Sequence, residues 1–335
     1  MERHGHEASG IELDAAGATE LGKRRHNEDV VLIRQDLGLF LVADGAGGHN
    51  AGDVASALAA RSISNTLEAS AESRHAEPEF DDFGLARDAR HLARAIRKAN
   101  RDILEMSRSH PEHRGMGTTV VAALFSPSLG TLHVAHVGDS RCYRMREGNL
   151  ELLTQDHSLL TDVLEERPEL DDAVLANLPR YAVTRALGMQ ESVRVEVRSY
   201  PIADNDRFLL CSDGLSVPVS ASALADTLDL DKPPGAIVQH LLNLANEAAG
   251  RDNIAALVVD CTGGPETTIP LDPRTQVAKP RSPARPSEPS EPELLLLAIE
   301  EIELGGRPLQ VVPPNSVSDG LAEALAEFAR TKPSK

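Results

Sequence analysis

DVVLIRQDLGLFLVADG, residues 29–45, decides how this chain folds. Two runs rich in branched and aromatic apolar residues, Val30–Arg34 and Leu39–Ala43, flank QDLG, a hairpin signal. A turn centred between Asp36 and Leu37 pairs residues whose numbers sum to about 73, so Asp29 stands opposite Asp44, their β-carbons roughly 4.5–5.5 Å apart. Two like charges held that close destabilise a hairpin unless something positive lies between them. A hard divalent ion with oxygen ligands meets that need, and two ions about 3.5–4 Å apart can share such carboxylates.

The pattern recurs. HVAHVGD ends at Asp139, FLLCSDG carries Asp213 before Gly214, and Arg251-Asp252-Asn253 precedes another apolar run. One Asp beside Gly is an ordinary turn, whereas several such strand ends point to a carboxylate cluster. The glycines after Asp44 and Asp213 leave room for water and metal beside a backbone whose carbonyl is itself a ligand. Further strands are expected at Thr119–Phe125, Thr131–Val137, Arg141–Arg144, Arg194–Tyr200, Arg207–Cys211 and Ile254–Asp260. Leu85, Ala89, Leu92, Ile96, Ala99 and Ile103 form the stripe of a long amphipathic helix, and Val54, Leu58, Ile63 and Leu67 a weaker one. Hairpin-spaced strands interrupted by a helical pair argue for antiparallel sheet with helices packed outside, an α+β class.

Composition bounds the rest. The 335 residues carry a net charge of −18, which repels nucleic-acid phosphate and anionic lipid and suits carboxylates gathered around a cation. Apolar runs fall far short of the roughly 20 residues of a membrane helix, and the N-terminus lacks the apolar core of a signal peptide. Cys142, Cys211 and Cys261, odd in number and without a Cys-x-x-Cys, match reduced core thiols of a cytoplasmic protein. Residues 1–261 are expected to form one domain. Pro280, Pro283, Pro286, Pro289 and Pro292 recur at the three-residue period of polyproline II, which marks 262–292 as a stiff linker. Residues 293–335 form a tail, either disordered or carrying short helices at 294–304 and after Ser318 or Asp319. The apolar Leu294–Leu297 and Ile299 would dock it on a protein partner or a second copy.

Other chemistries fit poorly. Gly45-Ala-Gly47-Gly-His-Asn50 lacks the third glycine of a dinucleotide loop, and Asp44 would repel a pyrophosphate. There is no G-x-x-x-x-G-K-[ST] loop. His133 and His136 point to opposite faces of a strand, so they do not form a zinc pair.

Eight segments in order, RRHNED (24–29), VADGAGGH (42–49), GMGTT (115–119), HVGDSR (136–141), LTQDH (153–157), TRALG (184–188), LCSDGL (210–215) and GRDNI (250–254), resemble the PPM, or protein phosphatase 2C, family of metal-dependent phosphatases in its bacterial type. The resemblance spans about residues 17–260. It implies a four-layer αββα sandwich, two central antiparallel sheets flanked by helix pairs, with a metal centre at one end. It implies that Asp44 bridges two Mn²⁺ or Mg²⁺ ions and that the Gly45 carbonyl ligates one. Asp213 and Asp252 would bind the first ion, Glu28 and Asp29 the second, and Asp139 with Asp213 a third. Arg24 would bind substrate phosphate, and 158–183 would form the variable flap.

The activity implied is hydrolysis of phosphoserine and phosphothreonine in proteins by a metal-bridging hydroxide, without a phosphoenzyme, opposite a cognate serine/threonine kinase. One departure concerns the proton donor: many relatives carry His where this chain has Ala46, which leaves metal-bound water, or more remotely His49, as general acid. The competing readings are a metallohydrolase of small phosphoesters and an inactive scaffold that binds a partner through its tail.

Overall fold

The computed structural model describes residues 11–46, 51–71, 80–81, 84–126, 129–167, 170, 182–248 and 250–263. The chain divides into two units, residues 1–156 with 185–278, and residues 157–184 with 279–335. The expected linker and tail lie, from residue 264 onward, outside the described residues, as does His49.

The first unit holds two antiparallel sheets. One comprises β1 (Glu12–Glu20), β7 (Arg141–Arg146), β8 (Asn149–Leu152), β10 (Arg207–Cys211) and β11 (Ile254–Thr262), ordered β1-β11-β10-β7-β8. The other orders β2 (Asp29–Arg34), β3 (Leu39–Ala46), β5 (Val120–Ser126), β6 (Thr131–Val137) and β9 (Glu196–Pro201) as β2-β3-β5-β6-β9, while the two-residue β4 (Gly117–Thr118) pairs with β3. Every expected strand is present within a few residues. β1, β8 and the two-residue β4 lie outside the expected strands.

Side-chain alternation builds the layers. On β3, Leu39, Leu41 and Ala43 pack with α1 (Gly52–Ser70) and α2 (Arg87–Ser109), whereas Phe40 and Val42 point to the other sheet. On β10, Phe208 and Leu210 meet them between the sheets, and Leu209 and Cys211 face outward. Phe40, Phe125 and Phe208 make a column of edge-on ring contacts, with centroids 5.4 and 5.5 Å apart. The outward side of the first sheet is covered by α4 (Ala221–Leu228) and α5 (Pro234–Ala248), through Leu224, Leu228, Ile237, Leu241 and Leu242. The result is the four-layer αββα sandwich.

Each helix has a local cause. In α2 the stripe Ala89, Leu92, Ile96, Ala99 and Ile103 is fully buried, and each large member contributes roughly 1.5–3 kcal/mol. Pro111 follows its end. α4 is capped by the Ser220 side chain, which accepts from the Ala223 N–H, and Pro234 opens α5, where no N–H partner is needed. In the second unit, α3 (Leu159–Glu166) is capped by Ser158, and Leu159, Val163 and Ala182 form a small cluster of their own. All three cysteines are buried free thiols. Among the described residues no helix is long and apolar enough to cross a membrane.

Candidate metal centre

The hairpin register places Asp29 directly opposite Asp44, the pairing expected from the turn. Asp29 opens β2 and is buried; its Oδ2 accepts a 2.7 Å hydrogen bond from the Ser212 hydroxyl, which itself accepts from the Ala255 N–H at 2.9 Å. The other oxygen, Oδ1, is buried with no hydrogen-bond partner among the described residues. A buried carboxylate oxygen without a donor is costly, and it is where a cation fits.

Asp44 is held through its backbone. Its carbonyl accepts from the Thr119 N–H at 2.8 Å and the Thr118 hydroxyl at 2.9 Å, and its N–H donates to Thr119 Oγ1 at 3.3 Å. Thr118 and Thr119 thus aim the carboxylate without touching it. Next to it Gly45 packs so tightly that a β-carbon would lie 2.1 Å from the Gly52 carbonyl oxygen and 2.7 Å from that of Glu28. At Gly214 a β-carbon would lie 1.9 Å from the Asn253 carbonyl oxygen. Glycine there lets the strand end bearing Asp213 approach the segment bearing Asp252.

Asp213 opens a single helical turn, Asp213–Ser216, directly after β10. Burial holds the Asp44 carboxyl well above the ordinary range, and Asp29, Asp213, Asp252 and Asp139 raise it further. Asp29 is pushed up to about 7, chiefly by burial, with Ser212 opposing and Asp213 and Asp252 adding to the rise. Asp139 is pushed up to about 8 by burial, then by Asp213 and Asp156. Glu28 is raised by burial, opposed by Arg24 and by the Gly52 backbone, and its carboxylate lies against Gly52 at the start of α1. Ala51 offers no side-chain cap, and the nearby Glu28 carboxylate places negative charge at that helix end.

The acidic residues singled out in the sequence therefore share one electrostatic neighbourhood at the ends of strands from both sheets. The donor set is carboxylate and carbonyl oxygen, the set that suits Mg²⁺ or Mn²⁺. Arg24 donates from Nη2 to Asp252 at 2.7 Å, an ion pair not anticipated from the sequence, while its Nε and Nη1 have no partner among the described residues. Arg141 grips Asp156 with two nitrogens, Nε at 2.9 Å and Nη2 at 2.6 Å, beside the turn that carries Asp139.

A further residue stands out. The Asn253 side chain accepts from the Glu28 N–H at 2.9 Å and donates to the carbonyls of Leu21 at 3.0 Å and His26 at 2.9 Å. It ties the loop bearing Arg24 and Glu28 to the segment bearing Asp252. Its only sequence signal is its place in the segment 250–254. Asn253→Ala is expected to cost about 1–3 kcal/mol, read from urea denaturation, because it removes the partner of the Glu28 N–H and of the His26 carbonyl, while the Leu21 carbonyl keeps the Arg24 N–H at 3.3 Å. A loss under 0.5 kcal/mol would show that water replaces the side chain without strain.

The family model for protein phosphatase 2C matches residues 16–258. A serine/threonine phosphatase, Stp, of Listeria welshimeri is 35% identical over 253 residues, covering 74% of this chain and 96% of that protein. The crystal structure of the Mycobacterium tuberculosis serine/threonine phosphatase PstP/Ppp superposes with a TM-score of 0.63 at 30% identity, covering 74% of this chain and 98% of that one. The catalytic domain of PstP in complex with two manganese ions gives 0.62 at 31% identity, covering 75% and 99%. Family match, relatives and sandwich agree: the chain belongs to the protein phosphatase 2C family.

Proposed function

We propose that this chain hydrolyses phosphoserine and phosphothreonine in proteins, using Mn²⁺ or Mg²⁺ held in the carboxylate cluster. The observation that carries this reading is the Asp29–Asp44 pair with Asp213, Asp252 and Asp139 around it, a concentration of negative charge that a cation relieves. Asp44 would bridge two ions, with Asp213, Asp252 and the Gly45 carbonyl on the first and Glu28 and Asp29 on the second. Asp139 with Asp213 would hold a third. Such ions supply hydroxide near neutral pH and draw off charge from phosphate oxygens.

The chain's own groups do the rest. Arg24, with two nitrogen positions unoccupied, presents donors to a phosphate at the rim of the cluster. A cysteinyl-phosphate route is disfavoured, since burial pushes the Cys211 thiol up to about 12 and raises Cys142 and Cys261 as well. Direct attack of water-derived oxygen on phosphorus, opposite the departing seryl or threonyl oxygen, needs no phosphoenzyme. Ala46 brings no proton, which leaves water at the cluster, or more remotely His49, to protonate the leaving group. The reading implies a serine/threonine kinase acting on the same proteins, in a reducing compartment such as the cytoplasm.

The test is hydrolysis of phosphoseryl and phosphothreonyl peptides against a panel of small phosphoesters, with Mn²⁺ and in excess chelator. Preference for the peptides and loss on chelation are expected; a preference for small esters overturns the protein-substrate assignment. Arg24→Ala is expected to raise KM for phosphopeptide about tenfold and to weaken inhibition by inorganic phosphate in parallel. Arg24→Lys restores only part, because the fork is lost. Unchanged phosphate inhibition in both variants would return Arg24 to a role confined to its ion pair with Asp252.

A further inference from the structure

The rim of the carboxylate cluster carries cations that the fold does not use. Residues 21–27 and 250–253 hold Lys23, Arg24, Arg25 and Arg251 against one acid, Asp252, in a chain of net charge −18. Arg24 takes Asp252. Lys23, Arg25 and Arg251 are exposed, and none of the three has a side-chain hydrogen bond or ion pair among the described residues. Glu20 and Glu247, which flank these segments, form no ion pair with them either.

A run of solvated charges on a loose loop would call for no explanation, but this loop is fastened. The Lys23 N–H donates to the Gly250 carbonyl at 2.7 Å, and the Arg24 N–H closes a turn on the Leu21 carbonyl at 3.3 Å. Asn253 holds the Leu21 and His26 carbonyls from the other segment. Gly22 has a φ of +57°, and a β-carbon there would lie 2.0 Å from the Asp252 carbonyl oxygen, so backbone rests directly on backbone. The two segments thus bring Lys23 and Arg25 to the same rim as Arg251. Like charges gathered there oppose one another, a small cost that no internal ion pair offsets. Such a cost, without a return inside the fold and beside a candidate substrate site, points to an anion supplied from outside.

Resting on the protein-phosphatase reading above, we propose that Lys23, Arg25 and Arg251 select the sequence around the scissile phosphoresidue, favouring substrate proteins with Asp or Glu within about three positions of it. Arg24, which stands between Lys23 and Arg25, is the group assigned to the phosphate itself. Cα atoms two residues apart are at most about 7 Å apart, the span of about two residues of an extended substrate, so the neighbours of Arg24 meet the neighbours of the phosphoresidue. The net charge of the molecule repels an acidic segment, and three local cations reverse that within a screening length of about 8–10 Å. A nucleic acid fits less well, because its charge continues past the rim onto a molecule of like sign.

Selection is separable from the chemistry. The loop is fastened through backbone groups and through Asn253, which also accepts from the Glu28 N–H. The side chains at 23, 25 and 251 take no part in that fastening, so replacing them leaves Arg24, Glu28 and Asp252 where they are.

The experiment uses the full chain with Mn²⁺ and two phosphoseryl peptides of about nine residues, alike except that one carries Glu and the other Gln on both sides of the phosphoserine. At about 50 mM salt kcat/KM should be about fivefold higher for the Glu peptide, and the gain should fade at about 500 mM. In the variant Lys23→Gln, Arg25→Gln, Arg251→Gln the preference should vanish, with kcat/KM on the Gln peptide within about twofold of the parent and an unchanged melting temperature. Fluorescein-labelled versions with a non-hydrolysable phosphonate in place of the phosphate separate binding from turnover. By anisotropy the parent should bind the Glu version about fivefold more tightly, and the variant should bind both alike. Equal binding of the two versions by the parent overturns the proposal, as does a preference that survives in the variant, or tighter binding of an oligonucleotide than of the Glu version. If the binding preference behaves as expected but neither phosphopeptide is hydrolysed, the phosphatase reading fails while the anion-selecting rim stands.

Discussion

Asp44→Ala is expected to lower phosphopeptide turnover by about a thousandfold or more while leaving far-UV circular dichroism unchanged. The separation of effects follows from how the residue is held. Thr118 and Thr119 fix the Asp44 backbone, so β3 keeps its course when the carboxylate is removed. Asp29, which faces it across the hairpin, is a poor substitute for the role proposed for Asp44, because one oxygen of Asp29 is already committed to Ser212. Asp213→Ala should behave alike. Wild-type activity surviving in excess chelator, or near-normal turnover of either variant with Mn²⁺ present, would remove the cluster from the chemistry.

Without metal, the protein should lose stability as pH rises from about 4 to about 8. The Asp29 carboxyl is shifted up to about 7 and Asp139 to about 8, both above the value of 3.8 they regain on unfolding. A carboxyl whose folded pKa is raised stabilises the fold fully below its unfolded pKa, and that contribution disappears as pH climbs through the folded one. A fall in melting temperature of about 5–10 °C across that range is expected for the chelated protein, flattened by added Mn²⁺. Asp44→Asn, which removes one of the opposed charges without changing shape, should melt higher than wild type in chelator at pH 8 and respond less to Mn²⁺. A chelated melting temperature that rises with pH would mean that the carboxylates are relieved by something other than protons or metal.

The hairpin was legible because a short turn fixes register, and register alone sets Asp29 against Asp44. The long stripe of α2 was legible because its apolar residues keep helical spacing without interruption. β1 escaped notice since ELDAAGATE holds few large apolar residues, and Gly17 makes room for Val31, whose Cγ1 would lie 2.6 Å from a β-carbon there. The α4–α5 pair was missed although Ile237, Val238, Leu241, Leu242 and Ala245 carry a helical period, opened by Pro234. Within the site, the acidic residues announce themselves by falling at strand ends. The Arg24–Asp252 pair, the Glu28 carboxylate at the start of α1 and the triple hold of Asn253 do not, because they join side chains to groups that only the folded chain brings together.

That distance along the chain has a consequence for how the molecule comes into being. Arg24 and Asp252 are 228 positions apart, Asn253 and Glu28 225, Ser212 and Asp29 183. Contacts of such span form only after hairpins and helices have closed the intervening loops. An ion meeting the unfolded chain encounters scattered carboxylates with no shared geometry, and gains its grip only when both sheets have stacked. Cation binding is therefore a late event. It acts as a latch fitted once the frame stands, slowing the frame's opening, rather than as a seed around which the frame grows.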